Sequence, residues 1–342
     1  MIMGIDKKRA NRKGTLWQEN NLLFQPALYG MAIGDALGVP YEFSTRDEMD
    51  ENPCTEMVGY QSYILIPPGH WSDDTSMALA TLASLSKGKI DLKDIMKNFV
   101  KWLDNAEFAC DGIVFDYGNT VYEAINNFKD GALIDRCGCN REDNNGNGAL
   151  MRILPVCLYM FYYYKKNIFS LDECINTVHK ISALTHRTIR CNIGSGLLFF
   201  ITKGILDYYG TKEERIQKGI NDGFNYYSNK KEYCNELKNY DRLKDLKSFI
   251  NEKRSNIRSG GYVVDTLEAA LWCIITTDNY NDCVLKAVNL GRDTDTTACV
   301  AGGIAGLIYG VNSIPTMWKL QLVDLEYIDE ICEKAERSLR IC

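Results

Sequence analysis

Two short polar clusters could do chemistry, because each crowds carboxylates and hydroxyls at the point where a helical pattern begins. Residues 71–77 read WSDDTSM, and residues 291–297 read GRDTDTT. An N-terminal helix cap needs only one Ser, Thr or Asp, and the helix dipole favours acids in the first turn. Each cluster alone is therefore typical of an ordinary cap, although both carry more polar groups than a cap requires.

Together the two clusters predict a metal centre. If the helix starts near Asp73 and Asp293 converge, the four carboxylates of the clusters would repel one another unless a cation lay between them. Ligands that are all oxygen, with no His or Cys, suit Mg²⁺, Mn²⁺ or Ca²⁺. Two such ions close together could position and activate a water molecule.

Three further features are weaker on their own. Within residues 30–43, a run of small residues ends in a turn, and Glu42 follows that turn directly. Taken alone, Glu42 could be a surface acid, and Asp35 could equally be structural or functional. Residues 144–152 read NNGNGALMR, a loop whose backbone N–H groups could hold a phosphate, although most such loops are simple turns. His186 is more typical of a structural histidine than of a catalyst.

Composition excludes several classes of protein. Among 342 residues, 39 Lys plus Arg and 45 Asp plus Glu leave a net charge of −6, which argues against a nucleic-acid binder held by positive charge. The content of 46% hydrophobic and 25% charged residues is that of a globular chain. Three histidines are too few for a His-rich zinc or copper site. The 13 scattered cysteines predict reduced thiols and a cytoplasmic protein.

The elements that must position the clusters are predicted to be helices. Apolar residues recur at intervals of three and four in residues 73–87, 91–103, 189–208 and 265–275. We find no sustained period-two alternation between hairpin signals, so the expected fold class is all-α. No apolar run of signal-peptide length occurs near the N-terminus and none of about 18 residues elsewhere, so no membrane segment is expected.

The strongest polar motifs lie on both sides of residues 228–259, so we expect no domain boundary there and predict a single domain over residues 21–342. Residues 1–20, which include a basic stretch, are expected to be a flexible tail. Residues 228–259 have nine Lys and Arg against five Asp and Glu. We expect them to form a charged surface helix or an insertion.

Seven segments carry short motifs, in order between about residue 25 and residue 315. They are GDALG at 34–38 with Glu42, WSDDT at 71–75, DYGNT at 116–120, GNGALMR at 146–152, LTH at 184–186, GYVVDT at 261–266 and DTDT at 293–296. Together they resemble the ADP-ribosylglycohydrolase family, which includes ADP-ribosyl-arginine and ADP-ribosyl-serine hydrolases and the dinitrogenase reductase-activating glycohydrolase. The paired-acid and DTDT motifs are the specific ones, whereas the glycine loops are common.

The resemblance implies a compact orthogonal all-α domain with a dinuclear Mg²⁺ centre in a cleft, Mn²⁺ being an alternative ion. The implied metal ligands are Ser72, Asp73, Asp74, Asp293, Asp295 and Thr296. The implied catalytic residues are Glu42, Asp74 and Asp295, with Glu42 a ligand or a proton-transfer group. The implied substrate-binding residues are Gly118, Asn119, Gly146, Asn147, Gly148, Met151, His186, Tyr262 and Arg292.

Two positions depart from the family pattern. Ser72 stands where many relatives have Thr, and its hydroxyl can still bind a metal. Arg292 stands where Gly or Asp is usual. Its cation could pair with the diphosphate of the substrate, or with Asp293 and so weaken metal binding.

The resemblance also implies a reaction, hydrolysis of the bond at C1″ of the distal ribose of ADP-ribose. An activated water, assisted by Glu42 or a ligand aspartate, would release ADP-ribose from modified protein side chains, arginine first and serine second. The alternatives are a two-metal nucleotide phosphohydrolase and a non-catalytic ADP-ribose-binding protein. The expected partner is an ADP-ribosylated protein or another ADP-ribose conjugate, without nucleic acid or membrane, and the expected state is a monomer.

Overall fold

The protein is all-α, as the sequence predicts. A computed structural model describes residues 22–61 and 65–341. Within these residues the chain forms sixteen α-helices and one two-stranded antiparallel ladder, in which Tyr60 pairs with Ile66 and Gln61 with Leu65. The predicted tail, residues 1–20, lies outside the described residues.

The helices are joined mostly by short loops and single 3₁₀ turns. The α-helices are α1 Gln25–Gly38, α2 Arg46–Glu51, α3 Asp73–Leu85, α4 Leu92–Asn105, α5 Asn119–Lys129, α6 Leu154–Lys165, α7 Leu171–Ser182, α8 Ile189–Asp207, α9 Lys212–Ser228, α10 Cys234–Leu237, α11 Leu246–Phe249, α12 Val263–Ile275, α13 Tyr280–Val288, α14 Thr294–Tyr309, α15 Thr316–Gln321 and α16 Leu325–Ile341. The strands are β1 Tyr60–Gln61 and β2 Leu65–Ile66. The four segments predicted from apolar spacing coincide with α3, α4, α8 and α12 to within two residues.

Helices α1 and α14 pack antiparallel at backbone contact, because small residues face each other along both. A Cβ built on Gly30 would lie 2.1 Å from the Gly302 carbonyl oxygen, and one on Gly34 would lie 2.1 Å from that of Ala298. Only glycine permits this approach. The contact brings the C-terminal end of α1 against the N-terminal end of α14, which carries the DTDT motif.

Buried polar bonds hold the start of α3 at the same place. The Asp35 carboxylate on α1 accepts hydrogen bonds from the backbone N–H groups of Ser72 and Thr75, at 2.9 and 3.0 Å, and from the Thr75 hydroxyl at 2.6 Å. The Thr294 hydroxyl donates to the Gly38 carbonyl at 2.8 Å. One end of α1 therefore fixes the N-terminal ends of both α3 and α14.

The charged segment at residues 228–259 is not one helix. The prediction of a charged surface helix is therefore wrong. The segment consists of α10, a 3₁₀ turn Lys238–Lys244, α11 and a 3₁₀ turn Arg254–Asn256. Between residues 237 and 249 the spacing of the buried side chains is three, which matches the 3.0 residues per turn of a 3₁₀ helix rather than 3.6. These side chains are Leu237, Tyr240, Leu243, Leu246 and Phe249. The alternative interpretation, that residues 228–259 are an insertion, stays a prediction.

The described cysteines and the most apolar helix both belong to the core. The twelve cysteines in the described ranges are unpaired, and all except Cys234 are buried. Helix α8 is long and apolar enough to span a membrane by length and composition, but 78% of its most apolar window is buried inside the protein. Burial of that kind is typical of a core helix.

Candidate metal centre and ligand cavity

The two polar clusters meet in the structure, although 222 positions separate Asp74 from Thr296. The Thr296 hydroxyl on α14 donates to Asp74 Oδ1 on α3 at 3.3 Å. Asp73 and Asp74 are the first two residues of α3, Asp293 is the N-cap residue of α14, and Asp295 is its second residue. The ends of two helices therefore bring four carboxylates to one place, as the sequence predicts.

Three further acids complete the cluster, and five of its carboxylates form two adjoining groups of three that share Asp295. Asp35, Asp74 and Asp295 form one group, and Glu42, Asp116 and Asp295 form the other. In each group one oxygen from every carboxylate lies within 4.8 Å of the other two. Because Asp295 belongs to both groups, the two candidate cation positions are neighbours.

The chemistry of these oxygens fits divalent cations. Asp74 Oδ2 and Asp295 Oδ1 are buried and have no hydrogen-bond partner among the described residues. Burial first, and then repulsion from neighbouring acids, raises the pKa of both carboxyls well above the usual range. Buried carboxylates without partners are costly, and hard cations with oxygen ligands satisfy them. The donor set therefore fits the divalent ions expected from the sequence.

Glu42 and Asp35 also have raised pKa values. Burial, a hydrogen bond with Asp116 and repulsion from Asp116 and Asp293 raise the pKa of Glu42 to about 10. Burial raises the pKa of Asp35 to about 6, against the opposing effect of its hydrogen bonds from Thr75 and Ser72. Without a cation the cluster holds protons more tightly than isolated carboxyls do.

The glycine loop at residues 146–148 is tied directly to the acid cluster. The Asn147 side-chain amide donates to Asp293 Oδ2 at 2.8 Å and to the Thr266 hydroxyl at 2.9 Å. The Asn147 backbone N–H donates to the Gly261 carbonyl at 3.0 Å. A single asparagine thus sets the position of the loop relative to the carboxylates.

A polar cavity of about 630 Å³, including its open mouth, joins the acids to this loop. Its lining residues are Glu42, Asp73, Asp116, Gly118, Asn119, Thr120, Val121, Gly146, Asn147, Gly148, Met151, His186, Gly261, Asp293, Asp295 and Thr296. The structure therefore brings twelve of the predicted site residues to one wall. Ser72 and Asp74 are buried behind that wall, where Ser72 caps α3 and its hydroxyl accepts a bond from the Asp74 N–H.

Two predicted substrate-binding residues do not line the cavity. Arg292 is exposed, in a left-handed backbone conformation (φ 70°), and forms no ion pair with Asp293 or any other described acid. Its backbone N–H donates to the Ser44 carbonyl, and its carbonyl accepts from the Phe43 N–H, both at 2.7 Å. Tyr262 is half-buried, with the Arg190 guanidinium 5.8 Å from its ring centroid.

Sequence reasoning missed two acids of the cluster. Asp116 is absent from the predicted set, although it opens the DYGNT motif that supplies Gly118 and Asn119 to the cavity. The sequence does not decide between a structural and a functional role for Asp35, and the structure shows both, since Asp35 anchors α3 and belongs to one carboxylate group. The available signal was the position of Asp116 shortly before the start of α5, in the motif that contains the predicted residues Gly118 and Asn119.

His186 faces the cavity from a buried position. Its ring nitrogen Nδ1 lies 3.0 Å from the Thr185 hydroxyl, and burial together with the charge of Arg152 lowers the pKa of His186 to about 3. A Cβ on Gly148 would lie 2.8 Å from His186 Cε1, so the loop can pass the ring only as glycine. The imidazole is therefore neutral at physiological pH and is packed against the loop.

Comparison with known proteins agrees with this arrangement. The sequence profile of the family described as ADP-ribosylglycohydrolase matches residues 21–340. The chain is 34% identical to the ADP-ribosylarginine hydrolase Tri1 of Serratia proteamaculans, over 90% of this chain and 77% of that protein. It is 28% identical to the ADP-ribosyl-(dinitrogen reductase) glycohydrolase of Rhodospirillum rubrum, over 92% and 95%.

A solved structure called ADP-ribosylglycohydrolase-related protein complex superposes with a TM-score of 0.70, at 24% identity, covering 93% of this chain and 98% of that one. At that identity the likeness shows the fold alone. The profile match and the relatives identify one family, and the shared fold agrees with it. The chain is an enzyme of the ADP-ribosylglycohydrolase family, whose members are glycosidic hydrolases.

Proposed function

We propose that this enzyme is a Mg²⁺-dependent hydrolase that removes ADP-ribose from arginine side chains of modified proteins. The observation that carries the proposal is that the carboxylate groups and the glycine loop with His186 share one cavity. The 34% identity to a relative named ADP-ribosylarginine hydrolase supports arginine as the first linkage and leaves serine as the second.

The carboxylates would hold the metal ions. Asp35, Asp74 and Asp295 would bind one ion, and Glu42, Asp116 and Asp295 the other, because these are the acids whose oxygens come together. Bound cations would supply positive charge to offset the buried carboxylates and Lewis acidity toward oxygens of the distal ribose. Oxygen-only ligands favour Mg²⁺ or Mn²⁺ over softer metals.

Glu42 is the residue we propose for proton transfer. It is half-buried and lines the cavity beside Asp116 and Asp295, so its carboxylate faces the space where water and substrate would lie. Water would form a bond to C1″ while the C1″–N bond breaks and its electron pair stays with the guanidine nitrogen. Glu42 would take the proton of the water and return it to that nitrogen, so the reaction yields ADP-ribose and unmodified arginine.

The loop and the surrounding acids would orient the ligand. Gly146 and Gly148 bring backbone close to the cavity, which suits the diphosphate. Carboxylates line the same cavity and would ease positive charge that develops on the ribose. The unpaired cysteines support a cytoplasmic location, where thiols stay reduced.

The test is to incubate the full-length protein with defined arginine, serine and free ADP-ribose conjugates, with Mg²⁺ or with EDTA. We expect Mg²⁺-dependent release of ADP-ribose from the arginine conjugate, identified by mass. Glu42→Gln should lower turnover by at least about a hundredfold. Glu51→Gln, an exposed acid at the end of α2, is the matched control and should keep full activity.

Three results would overturn the proposal. Release of AMP or phosphate would show a nucleotide phosphohydrolase. Binding of ADP-ribose without turnover of any conjugate would show a binding protein. Turnover that persists undiminished in EDTA would remove the metal from the mechanism.

A further inference from the structure

Arg152 is fully buried, and no described carboxylate pairs with it. Its guanidinium lies 4.8 Å from the centroid of the Phe99 ring. One terminal nitrogen donates to the carbonyls of Ile181 and Ser182, at 3.2 and 3.4 Å, in the last turn of α7. A cation is favoured at the C-terminal end of a helix. Burial lowers the pKa of Arg152 to about 9, so the side chain remains a cation at neutral pH.

The same nitrogen of Arg152 also reaches the motif that carries His186. It donates to the Thr185 hydroxyl at 2.8 Å, and that hydroxyl lies 3.0 Å from His186 Nδ1. A guanidinium can only donate, so the Thr185 oxygen must accept from it. Among the described residues, Nδ1 is the only group placed to accept the Thr185 hydroxyl proton. The chain of donors therefore runs from Arg152 through Thr185 to His186.

The direction of this chain decides where the imidazole carries its proton. If Nδ1 carried the proton and donated to Thr185, the buried hydroxyl would have no acceptor, which costs free energy. If Nδ1 accepts, the Thr185 hydroxyl both accepts from Arg152 and donates to His186, and the single proton of the neutral ring must lie on Nε2.

Nε2 is the nitrogen that faces the cavity. It would lie 3.4 Å from a Cβ on either Gly146 or Gly148, and it has no hydrogen-bond partner in the described part of the chain. The backbone N–H groups of Gly146 and Gly148 likewise donate to no described group. His186, Gly146 and Gly148 all line the cavity, and donors of this kind suit the oxygens of an anionic or hydroxylated ligand.

We propose that Arg152 and Thr185 are positioning residues that hold His186 in its Nε2–H form, so that the ring always presents a donor to a phosphate or ribose oxygen of ADP-ribose. Neither Arg152 nor Thr185 lines the cavity, and both act through His186. The identity of the ligand rests on the proposed function, whereas the proton position does not.

The proton position is read by ¹⁵N NMR of histidine-labelled full-length protein, in which only three histidines give signals. We expect His186 of the wild type to show a protonated Nε2 and an unprotonated Nδ1. Thr185→Val should shift His186 toward a mixture of both tautomers, and Thr185→Ser should restore the wild-type spectrum. Thr202→Val is the matched control, since Thr202 is a fully buried threonine whose hydroxyl serves only its own helix.

The proposed contact between His186 and ADP-ribose is tested by calorimetric titration of the same variants with ADP-ribose. Thr185→Val should bind about two- to tenfold more weakly, the change that one misdirected hydrogen bond produces. Thr185→Ser and Thr202→Val should bind as the wild type does. A merely structural role of Thr185 would weaken binding without moving the ¹⁵N signals of His186.

Protonation of Nδ1 in the wild type, or an unchanged spectrum in Thr185→Val, would overturn the proposal. Arg152→Met provides a second check, because without the guanidinium the Thr185 oxygen is free to accept from Nδ1, and both tautomers should appear. Failure of the wild type to bind ADP-ribose would overturn the proposed function and the ligand assignment together, and the NMR result would still decide the role of Arg152 and Thr185.

Discussion

Gly38→Ala is expected to disable the candidate metal centre without removing any of its ligands. Gly38 is the last residue of α1, and a Cβ built on it would lie 2.3 Å from Asp295 Cα and 2.4 Å from Asp295 N. Carbon atoms in contact prefer about 3.5–4.0 Å, so the start of α14 would have to move by about 1 Å. Asp295 would move with it, and this residue belongs to both carboxylate groups.

The expected effects on stability and on activity differ in size. Forcing a methyl group into a packed contact costs about 1–3 kcal/mol, and the better helix propensity of alanine returns up to about 1 kcal/mol. The free energy of unfolding should therefore fall by at most about 3 kcal/mol. A displacement of about 1 Å in a catalytic group costs about a hundredfold in rate, equivalent to about 2.7 kcal/mol in the activation barrier.

Gly306→Ala is the matched control. A Cβ on Gly306 would lie 2.1 Å from the Pro26 carbonyl oxygen, in the same α1–α14 contact. At 1.5 Å per residue, however, it lies about 16 Å along α14 from Asp295. Both variants should melt a few degrees lower than the wild type. Only Gly38→Ala should lose the rise in melting temperature on adding Mg²⁺ and the hydrolysis of the arginine conjugate.

Two results would refute this reasoning. Equal losses of Mg²⁺-induced stabilisation in both variants would show that the helix contact acts globally rather than through Asp295. Wild-type Mg²⁺ response and hydrolysis in a folded Gly38→Ala protein would show that the position of Asp295 does not control the centre.

Three further predictions concern the carboxylates. Asp74→Asn should raise the melting temperature in EDTA, because it relieves buried repulsion, and should abolish the rise that Mg²⁺ gives the wild type. Asp116→Asn should weaken Mg²⁺ binding by calorimetry about tenfold or more, whereas Asp135→Asn, an exposed control, should not. The raised folded-state pKa values of Glu42, Asp74 and Asp295 mean that the folded metal-free protein binds protons more tightly than the unfolded chain. Urea unfolding in EDTA should therefore show stability falling from about pH 5 to 8, with Mg²⁺ flattening the slope, and a metal-free stability that rises with pH would contradict this.

Much of the fold could be predicted from local pattern. Apolar spacing identified helices such as α3 and α8, because one buried face of a helix repeats every three to four residues. The acids at the two helix starts were recognisable because caps and first turns favour the same residue types wherever they occur. The segment at residues 228–259 was harder, since its spacing of three between buried side chains is close to the helical period.

The full site could not be read from local pattern. Asp116 lies in a motif from which only Gly118 and Asn119 were predicted to belong to the site, and its place beside Glu42 and Asp295 exists only in the folded protein. Arg292 stands next to a cluster acid in sequence, yet its left-handed backbone and two bonds to Phe43 and Ser44 keep it outside the cavity. Proximity in sequence to predicted site residues therefore does not show whether Asp116 or Arg292 belongs to the site.

The amino-acid sequence by itself determined the class of elements, the oxygen-only ligand chemistry and the family, because each depends on residue types at short spacing. The tertiary structure decided which carboxylates meet. That choice depends on the glycine contact between α1 and α14 and on the bonds from Asp35 to the start of α3. It also decided that a buried arginine reaches His186 through Thr185. These contacts join residues far apart in the chain, and their geometry exists only when the helices are packed.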